Sequence, residues 1–534
     1  VEYIYSDSST LCAVSNSSSR VFRGDYINFQ KRNLAYFNAT ELKSNINLRE
    51  AKFSNDIIAK TYQPSTIIDS PRNKIFDFGL NHTGGIKCHI KGKKGTIVTV
   101  KYSEFTNPDG SLNFMSSAYS DFKEEEFVPP FYSCKANKYP VIQKNTYILS
   151  GDIDYIEPLF SYRCYRYIQI ECNNDIEIID LESALIHSDI KQISTFESSS
   201  KMLNHFYNCY IQTQFCNLHS GLTTDCPHRE KIAYTGDGQI VSEALLRNFD
   251  AVSFFDKWLD DVIASQGIDG YVPNSAPDMA GGGGHFWGYA ITAIPLNIYK
   301  MTGDKSFLTR SYNAMFKWIK YLSKTRGENG LLTSNGLRWF LGDWLAPEPI
   351  KSDTIYVNTI AFCLSIENFL KVNKILGNPE DLQLIHLLEK TKIAINEHYF
   401  NKDTFSYSSD NQGETLLALY ADVVEPQYLS QVRNSFINKY KENDYHIDTG
   451  IVCTPILFEM LSKLSSDDIA LRLLIQQDYP SFAYMLKNET TYPEHWSKKW
   501  IAYKQNDDGE AILEPTGDVS HCHPMFGAIV PWIQ

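Results

Sequence analysis

The stretch STFESSSKMLNHFYNCYIQTQF (Ser194–Phe215) is where the texture of the chain changes. Its Ser/Thr-rich opening suits a helix start, and the apolar residues after it recur at helical spacing. The pattern returns in GQIVSEALLRNF (Gly238–Phe249), DAVSFFDKWLDDVIASQ (Asp250–Gln266) and DKSFLTRSYNAMFKWIKYLSK (Asp304–Lys324). It continues in NTIAFCLSIENFLKVNKIL (Asn358–Leu376) and EDLQLIHLLEKTKIAINEHYF (Glu380–Phe400). Roughly a dozen paired helices, joined by Gly/Asp/Pro loops, are expected from about Ile190 onward. Several lack a strongly charged face, as the inner helices of a double ring should. An (α/α)6 toroid of six hairpins fits. A helical solenoid is the alternative, but no fixed-period self-similarity is visible.

Upstream the sequence reads as strands. GTIVTVKYSEF (Gly95–Phe105) alternates and is β-branched, and NPDGS after it is a turn. YRCYRYIQIEC (Tyr162–Cys172) alternates too. The expected organisation is an antiparallel β-sandwich over residues 1–190, with an irregular N-terminal segment, followed by the toroid over residues 191–534.

A net charge of −13 argues against nucleic-acid binding. No run of eighteen or more apolar residues predicts a membrane span. The opening VEYIYSDSST lacks the basic-then-apolar pattern of a leader. A leader already removed would suit a periplasmic or secreted protein, which is the expectation, and a cytoplasmic one stays open. The 11 cysteines show no zinc-ligand spacing and read as small buried hydrophobes, so no metal ligand is expected among them. Asn-x-Ser/Thr sequons stand at Asn16, Asn38, Asn81 and Asn488. Aromatic residues at 13% are explained first by packing in a large core, and second by a site where flat rings stack on sugar faces.

A toroid gathers its inter-helix loops at one end, so polar loops between apolar helices are the places to look for chemistry. TTDCPHREKIAYTGD (Thr223–Asp237) crowds Asp225, Glu230 and Asp237 onto a loop leading into a helix from about Gly238. Close carboxylates repel, which raises a pKa as a general acid requires. A solvated loop with internal salt bridges has the same composition. Arg229 there could pair with a carboxylate or grip substrate. YVPNSAPDMAGGGGHFWGYA (Tyr271–Ala290) carries four glycines before Trp287, a closely approached loop with an aromatic platform or a plain linker. LRWFLGDWLAP (Leu337–Pro347) sets Asp343 beside Trp344, a sugar-binding pairing or a helix cap. TTYPEHWSKKW (Thr490–Trp500) holds Glu494, and GDVSHCHPMFGA (Gly517–Ala528) holds His521 and His523. Two carboxylates far apart in sequence meet the requirement of glycoside hydrolysis. A lone His-x-His is a weak metal signal.

In this order the four segments resemble the α-L-rhamnosidases of glycoside hydrolase family 78. The family pattern Asp-Cys-Pro-x-Arg-Glu stands as Asp225–Glu230, and Gly-Trp-x-Gly-Asp as Ala233–Asp237. Thr-Thr-x-x-Glu-x-Trp stands as Thr490–Trp496, and Asn-His before Gly as Cys522-His523 before Gly527. FDFGLNHTGGIKCHIKGKKGTIVTVKYSEFTNPDGSLN (Phe76–Asn113) and EPLFSYRCYRYIQIE (Glu157–Glu171) look like the sandwich that precedes the toroid there. The resemblance runs from about residue 70 to the end. It implies an inverting hydrolase that releases terminal α-L-rhamnose from a glycan or glycoside. Glu230 would be the general acid and Glu494 the general base, about 6.5–9.5 Å apart with a water between them. Asp225 and Asp237 would hold ring hydroxyls, His523 would line the pocket, and Arg229, Tyr234, Trp287, Asp343 and Trp344 complete the expected substrate-binding set. No cofactor is required, a structural Ca²⁺ is left open, and the oligomeric state is not legible.

The chain departs from the pattern at Tyr234, where the family carries Trp, at Tyr289, where it carries Asp, and at Lys231 and Ile232, where many members carry Glu and Arg. Less acid and more Lys and Tyr suggest an acidic aglycone such as a uronate-linked rhamnose. Two other functions stay open. A lyase on the same toroid, cutting a rhamnosyl–uronate bond by β-elimination, would draw its base and neutralising groups from Tyr289, His285, Lys231 and Arg229. A non-catalytic rhamnose-binding protein is the other, and retention of both Glu230 and Glu494 argues against it.

Overall fold

The computed structural model describes residues 11–13, 17–20, 24–30, 36–38, 55–120, 140–159, 161–277, 284–337, 340–505 and 511–534. The sequons at Asn16 and the glycines 281–283 lie outside the described residues. A β-rich part precedes a helical ring, the expected architecture.

The β part is organised by one strand of 20 residues, Asn73–Gly92. Its first half pairs with Ser65–Ser70 and Arg163–Cys172, its second half with Ile153–Ile156 and Ile176–Ser188. The strand therefore passes from one set of partners to another. Gly84, at the changeover, has φ +153°, and a Cβ there would fall 1.7 Å from the Ala184 carbonyl oxygen. Alternate residues fill the core between the layers, among them Phe76, Phe78, Ile90, Val98, Val100, Tyr102, Ile168 and Ile170. Among the described residues Gly24–Asn28 runs parallel to Lys144–Ile148, and the other pairs are antiparallel.

The helices are α1 Lys201–Asn217, α2 Thr235–Asn248, α3 Val252–Ser265, the single turn α4 His285–Gly288, α5 Ala290–Thr302, α6 Ser306–Lys324 and α7 Thr354–Leu376. They continue as α8 Leu382–Tyr399, α9 Gln412–Tyr420, α10 Leu429–Glu442, α11 Thr454–Lys463, α12 Asp467–Ile475, the single turn α13 Phe482–Met485 and α14 Val530–Ile533, the last after a 3-10 turn Met525–Ile529. Contacts run α2 to α5, α5 to α7, α7 to α9, α9 to α11, α11 to the Met525 turn and from that turn back to α2, which closes an inner ring. The intervening helices α3, α6, α8, α10 and α12 pack outside it. The Ser/Thr-rich opening of the Ser194 stretch is the cap of α1, where the Ser200 hydroxyl accepts from Leu203 N at 3.4 Å. Helix α7 is long and apolar enough by composition to cross a membrane. Here it is an inner helix, with Tyr356 through Ile366 buried on every side.

This arrangement places the polar loops together, because each precedes an inner helix. The opposite end of the bore opens as a cavity of about 670 Å³ lined by the C-terminal parts of those helices, including Glu243, Arg247, Lys371 and Glu459.

The two parts meet at α1, which packs on the strands Asn73–Gly92 and Ile176–Ser188. Asn81 is the hub of this interface. Its backbone N–H donates to Thr490 Oγ1 at 2.8 Å, and its amide donates to Thr491 Oγ1 at 3.1 Å and Glu104 Oε1 at 3.0 Å. Its carbonyl accepts from Gln212 at 2.9 Å. At 3% exposure this sequon is closed to a glycan in the folded state.

Candidate active site

The loop Asp225–Tyr234 closes on itself. Asp225 and Ile232 exchange a backbone bond of 3.0 Å, and Ile232 N donates to Asp225 Oδ1 at 3.0 Å. Lys231, at φ +56°, makes the return turn, so Arg229 and Glu230 stand at the loop's tip. Tyr234 then precedes α2, and its hydroxyl donates to Glu230 Oε2 at 3.1 Å. The helix starts earlier than the sequence suggests. Asp237 lies in its first turn rather than on the loop, where the helix N-terminus favours a negative charge.

Three carboxyls share this corner. Burial pushes Asp225 well above the usual carboxylate range, and the charges of Glu230 and Asp237 push the same way. The close approach of the Glu230 carboxyl adds to the upward shift of Asp225. Asp237 is raised to about 8, mainly by burial, with Glu230 and Glu494 adding to it and a bond to the Trp287 indole opposing. Trp287 lies flat against the backbone there, since a Cβ on Gly236 would fall 2.6 Å from its Nε1.

Glu494 arrives from the loop between α13 and the hairpin of Lys499–Gln505 with Ala511–Asp518. Its N–H donates to Ser520 O at 2.8 Å, and Ser520 N donates back to Glu494 Oε2 at 3.2 Å. Arg229 Nη2 donates to the same oxygen at 2.7 Å. Burial would raise this carboxyl, but Arg229 and the Ser520 N–H outweigh it and hold Glu494 below its ordinary value. The imidazole of His523, 3.8 Å from Asp237 Oδ1, is pushed by burial down to about 4 and is neutral. One corner thus keeps protons and the other keeps a carboxylate, the separation that acid–base chemistry needs.

The β part reaches this site through Glu104, which sequence reasoning missed. Glu104 is fully buried, with Oε2 3.2 Å from His228 Nε2 and accepting from His521 N at 3.3 Å. Burial opposes its charge, yet His228, His521 and Asn81 together bring its pKa down to about 2. It braces the His228 loop and the His521 loop at once. A single Glu closing an alternating strand carries no sequence signal for this.

Other expected residues fall elsewhere. Asp343 is buried with its oxygens filled by three backbone N–H groups, Gly450 at 2.7 Å, Val452 at 2.9 Å and Cys453 at 3.1 Å. It caps the approach to α11, while α7 has its own cap in Asp353. Trp344 beside it is exposed at the loop end of the ring. Asp343→Ala is expected to lower stability by several kcal/mol, because three buried donors lose their acceptor. A melting point unchanged by the substitution, with KM raised instead, would return Asp343 to a sugar-binding role. Lys231 does not extend into the carboxylate corner. Its ammonium donates to Tyr162 O at 2.7 Å and lies 4.0 Å over the Tyr162 ring, so it braces the β part and gives no reason to expect an acidic aglycone.

His521 and His523 do not form a metal pair. His521 Nδ1 faces Glu489 at 3.0 Å, while His523 faces Asp237. The groups a lyase would need are also committed. Tyr289 accepts from Asn368 at 2.9 Å and is pushed up to about 12 by burial, and His285 Nε2 is 3.2 Å from Thr333 O.

A six-hairpin ring with carboxyls gathered at its loop end, preceded by a β part that braces those loops, is the architecture of the six-hairpin glycosidase domains. Residues 191–534 match the bacterial alpha-L-rhamnosidase 6 hairpin glycosidase domain, and residues 69–188 match the bacterial alpha-L-rhamnosidase concanavalin-like domain. The chain belongs to this bacterial α-L-rhamnosidase family. It is 26% identical over 472 residues to an alpha-L-rhamnosidase of Formosa agariphila, covering 86% of this chain and 47% of that protein. One of Streptomyces avermitilis is 26% identical over 483 residues, covering 88% and 43%. The chain therefore spans about half the length of the curated relatives it matches. The crystal structure of a Streptomyces avermitilis α-L-rhamnosidase complexed with L-rhamnose superposes with a TM-score of 0.81 at 23% identity, over 97% of this chain and 48% of that one. That of native Aspergillus terreus rhamnosidase superposes with 0.83 at 21%, over 99% and 61%. At these identities the superpositions establish the fold.

Proposed function

We propose that this chain is an inverting α-L-rhamnosidase that hydrolyses terminal α-L-rhamnosides. Glu230, beside the raised carboxyls of Asp225 and Asp237, is the general acid that protonates the departing glycosidic oxygen. Glu494, kept ionised by Arg229 and the Ser520 N–H, is the general base that takes a proton from the attacking water. Asp225 and Asp237 hold ring hydroxyls, Trp287 and Tyr234 supply the aromatic walls, and His523 completes the pocket. The opposed protonation of the two corners is the observation that supports this reading most directly. The matched relatives, all described as alpha-L-rhamnosidases, supply the sugar. No metal or cofactor takes part in the proposed chemistry.

The test is proton NMR of the full chain with an aryl α-L-rhamnoside. The first-formed sugar is expected to be β-L-rhamnose, which later mutarotates. α-L-Rhamnose as first product would overturn inversion, an unsaturated product would mean elimination, and binding without turnover would mean a sugar-binding protein.

A further inference from the structure

Three cysteines from distant parts of the chain meet beneath the catalytic loops. Cys164 lies on the strand Arg163–Cys172, Cys216 in the last turn of α1, and Cys522 immediately before His523. All three are fully buried and unpaired by disulfide, and their sulfurs lie within 4.8 Å of one another. Three sulfurs around one ion at about 2.3 Å would stand about 3.8–4.0 Å apart, so closing on an ion needs shifts of less than about 1 Å.

The sulfurs lie among polar groups, two of which are amide donors. Gln212 Nε2 donates to Cys216 Sγ at 3.8 Å, and Asn217 Nδ2 donates to Cys522 Sγ at 3.7 Å. Amide donors aimed at sulfur are the outer partners that metal-bound thiolates take. The Cys164 thiol donates to Asn81 Oδ1 at 3.4 Å, a bond that the ion would replace. His228 and Glu104 bring ligand atoms within 4.8 Å of Cys164, and the buried His228 Nδ1 has no hydrogen-bond partner. In the resemblance drawn above, Cys522 stands where the family pattern carries Asn, so the third sulfur is a feature of this chain.

We propose that Cys164, Cys216 and Cys522 form a three-thiolate site for a soft d¹⁰ cation, Zn²⁺ or Cu⁺, which ties the β part to the ring under the active site. Soft thiolate sets select these ions. Binding converts three thiols to thiolates and releases three protons to solvent. The ion takes no part in the hydrolysis proposed above, and its presence does not depend on that reading.

The test uses the reduced full chain, offered Zn²⁺ or Cu⁺ during refolding and then held against a weak chelator. Native mass spectrometry should count one retained ion per chain and say which of the two it is. Cd²⁺ in its place should give a thiolate-to-metal charge-transfer band. The bound ion should raise the unfolding midpoint. The triple Cys→Ala variant should lose the ion, the band and the rise, while Cys88→Ala and Cys363→Ala keep all three. Should the triple variant not fold, Cys522→Ser alone should weaken retention at least tenfold. No retained ion, retention unchanged in these variants, or a disulfide between two of the three cysteines would overturn the proposal.

Discussion

Replacing Glu494 by Gln is expected to lower kcat on an aryl α-L-rhamnoside by about 10²–10⁴-fold, with KM little changed. Gln keeps the shape and the Ser520 bond but cannot take a proton from water. Arg229 would keep an oxygen to donate to, so the fold should survive, and the melting curve checks this. Glu230→Gln should fall by a similar factor on glycosides with poor leaving groups. It should fall less on an activated aryl glycoside, whose departing oxygen needs little protonation. The two variants thus differ in leaving-group dependence, and that difference separates acid from base. Near-normal turnover in both would sink the assignment.

The second large effect concerns stability. Glu104→Gln is expected to destabilise the fold by about 2–3 kcal/mol, because the buried groups around it, His228, the His521 N–H and the Asn81 amide, lose a carboxylate acceptor. Glu104 is held at about 2 in the folded state, against about 4.5 when free. Its contribution is therefore complete above pH 4.5 and fades as the pH falls toward 2. The gap between parent and variant should be widest near neutrality and close on acidification. A gap that stays constant from pH 6 to pH 3 in urea titrations would mean that packing, not charge, is what the position supplies. Because Glu104 touches no substrate, kcat should follow the folded fraction.

Much of the ring was legible because apolar residues at helical spacing mark each helix, and the loops between them are polar. Helix ends were less so. The start of α2 reads as Gly238 in the sequence, because Gly236 looks like a loop residue and Tyr234 is no ordinary cap. Asp343 shows why a local pattern can mislead. An Asp beside a Trp suggests a sugar, yet the groups that claim it lie more than a hundred residues on, at Gly450–Cys453. Glu104 and the three cysteines share that difficulty: their neighbours come from segments that only tertiary docking brings together. Lys231 departs from the pattern, but nothing local says that its side chain turns toward Tyr162.

Asn81 gives the interface a direction in time. Its Asn-His-Thr signal is readable while the chain is extended, and its side chain is sealed once the β part docks on α1 and Thr491. In a host whose secretory machinery attaches glycans to nascent chains, modification and docking would compete for the same amide. A chain that lost the race would carry a sugar where the two halves must touch. The route of synthesis, and not the sequence alone, would then decide whether the acid and base corners are ever brought face to face.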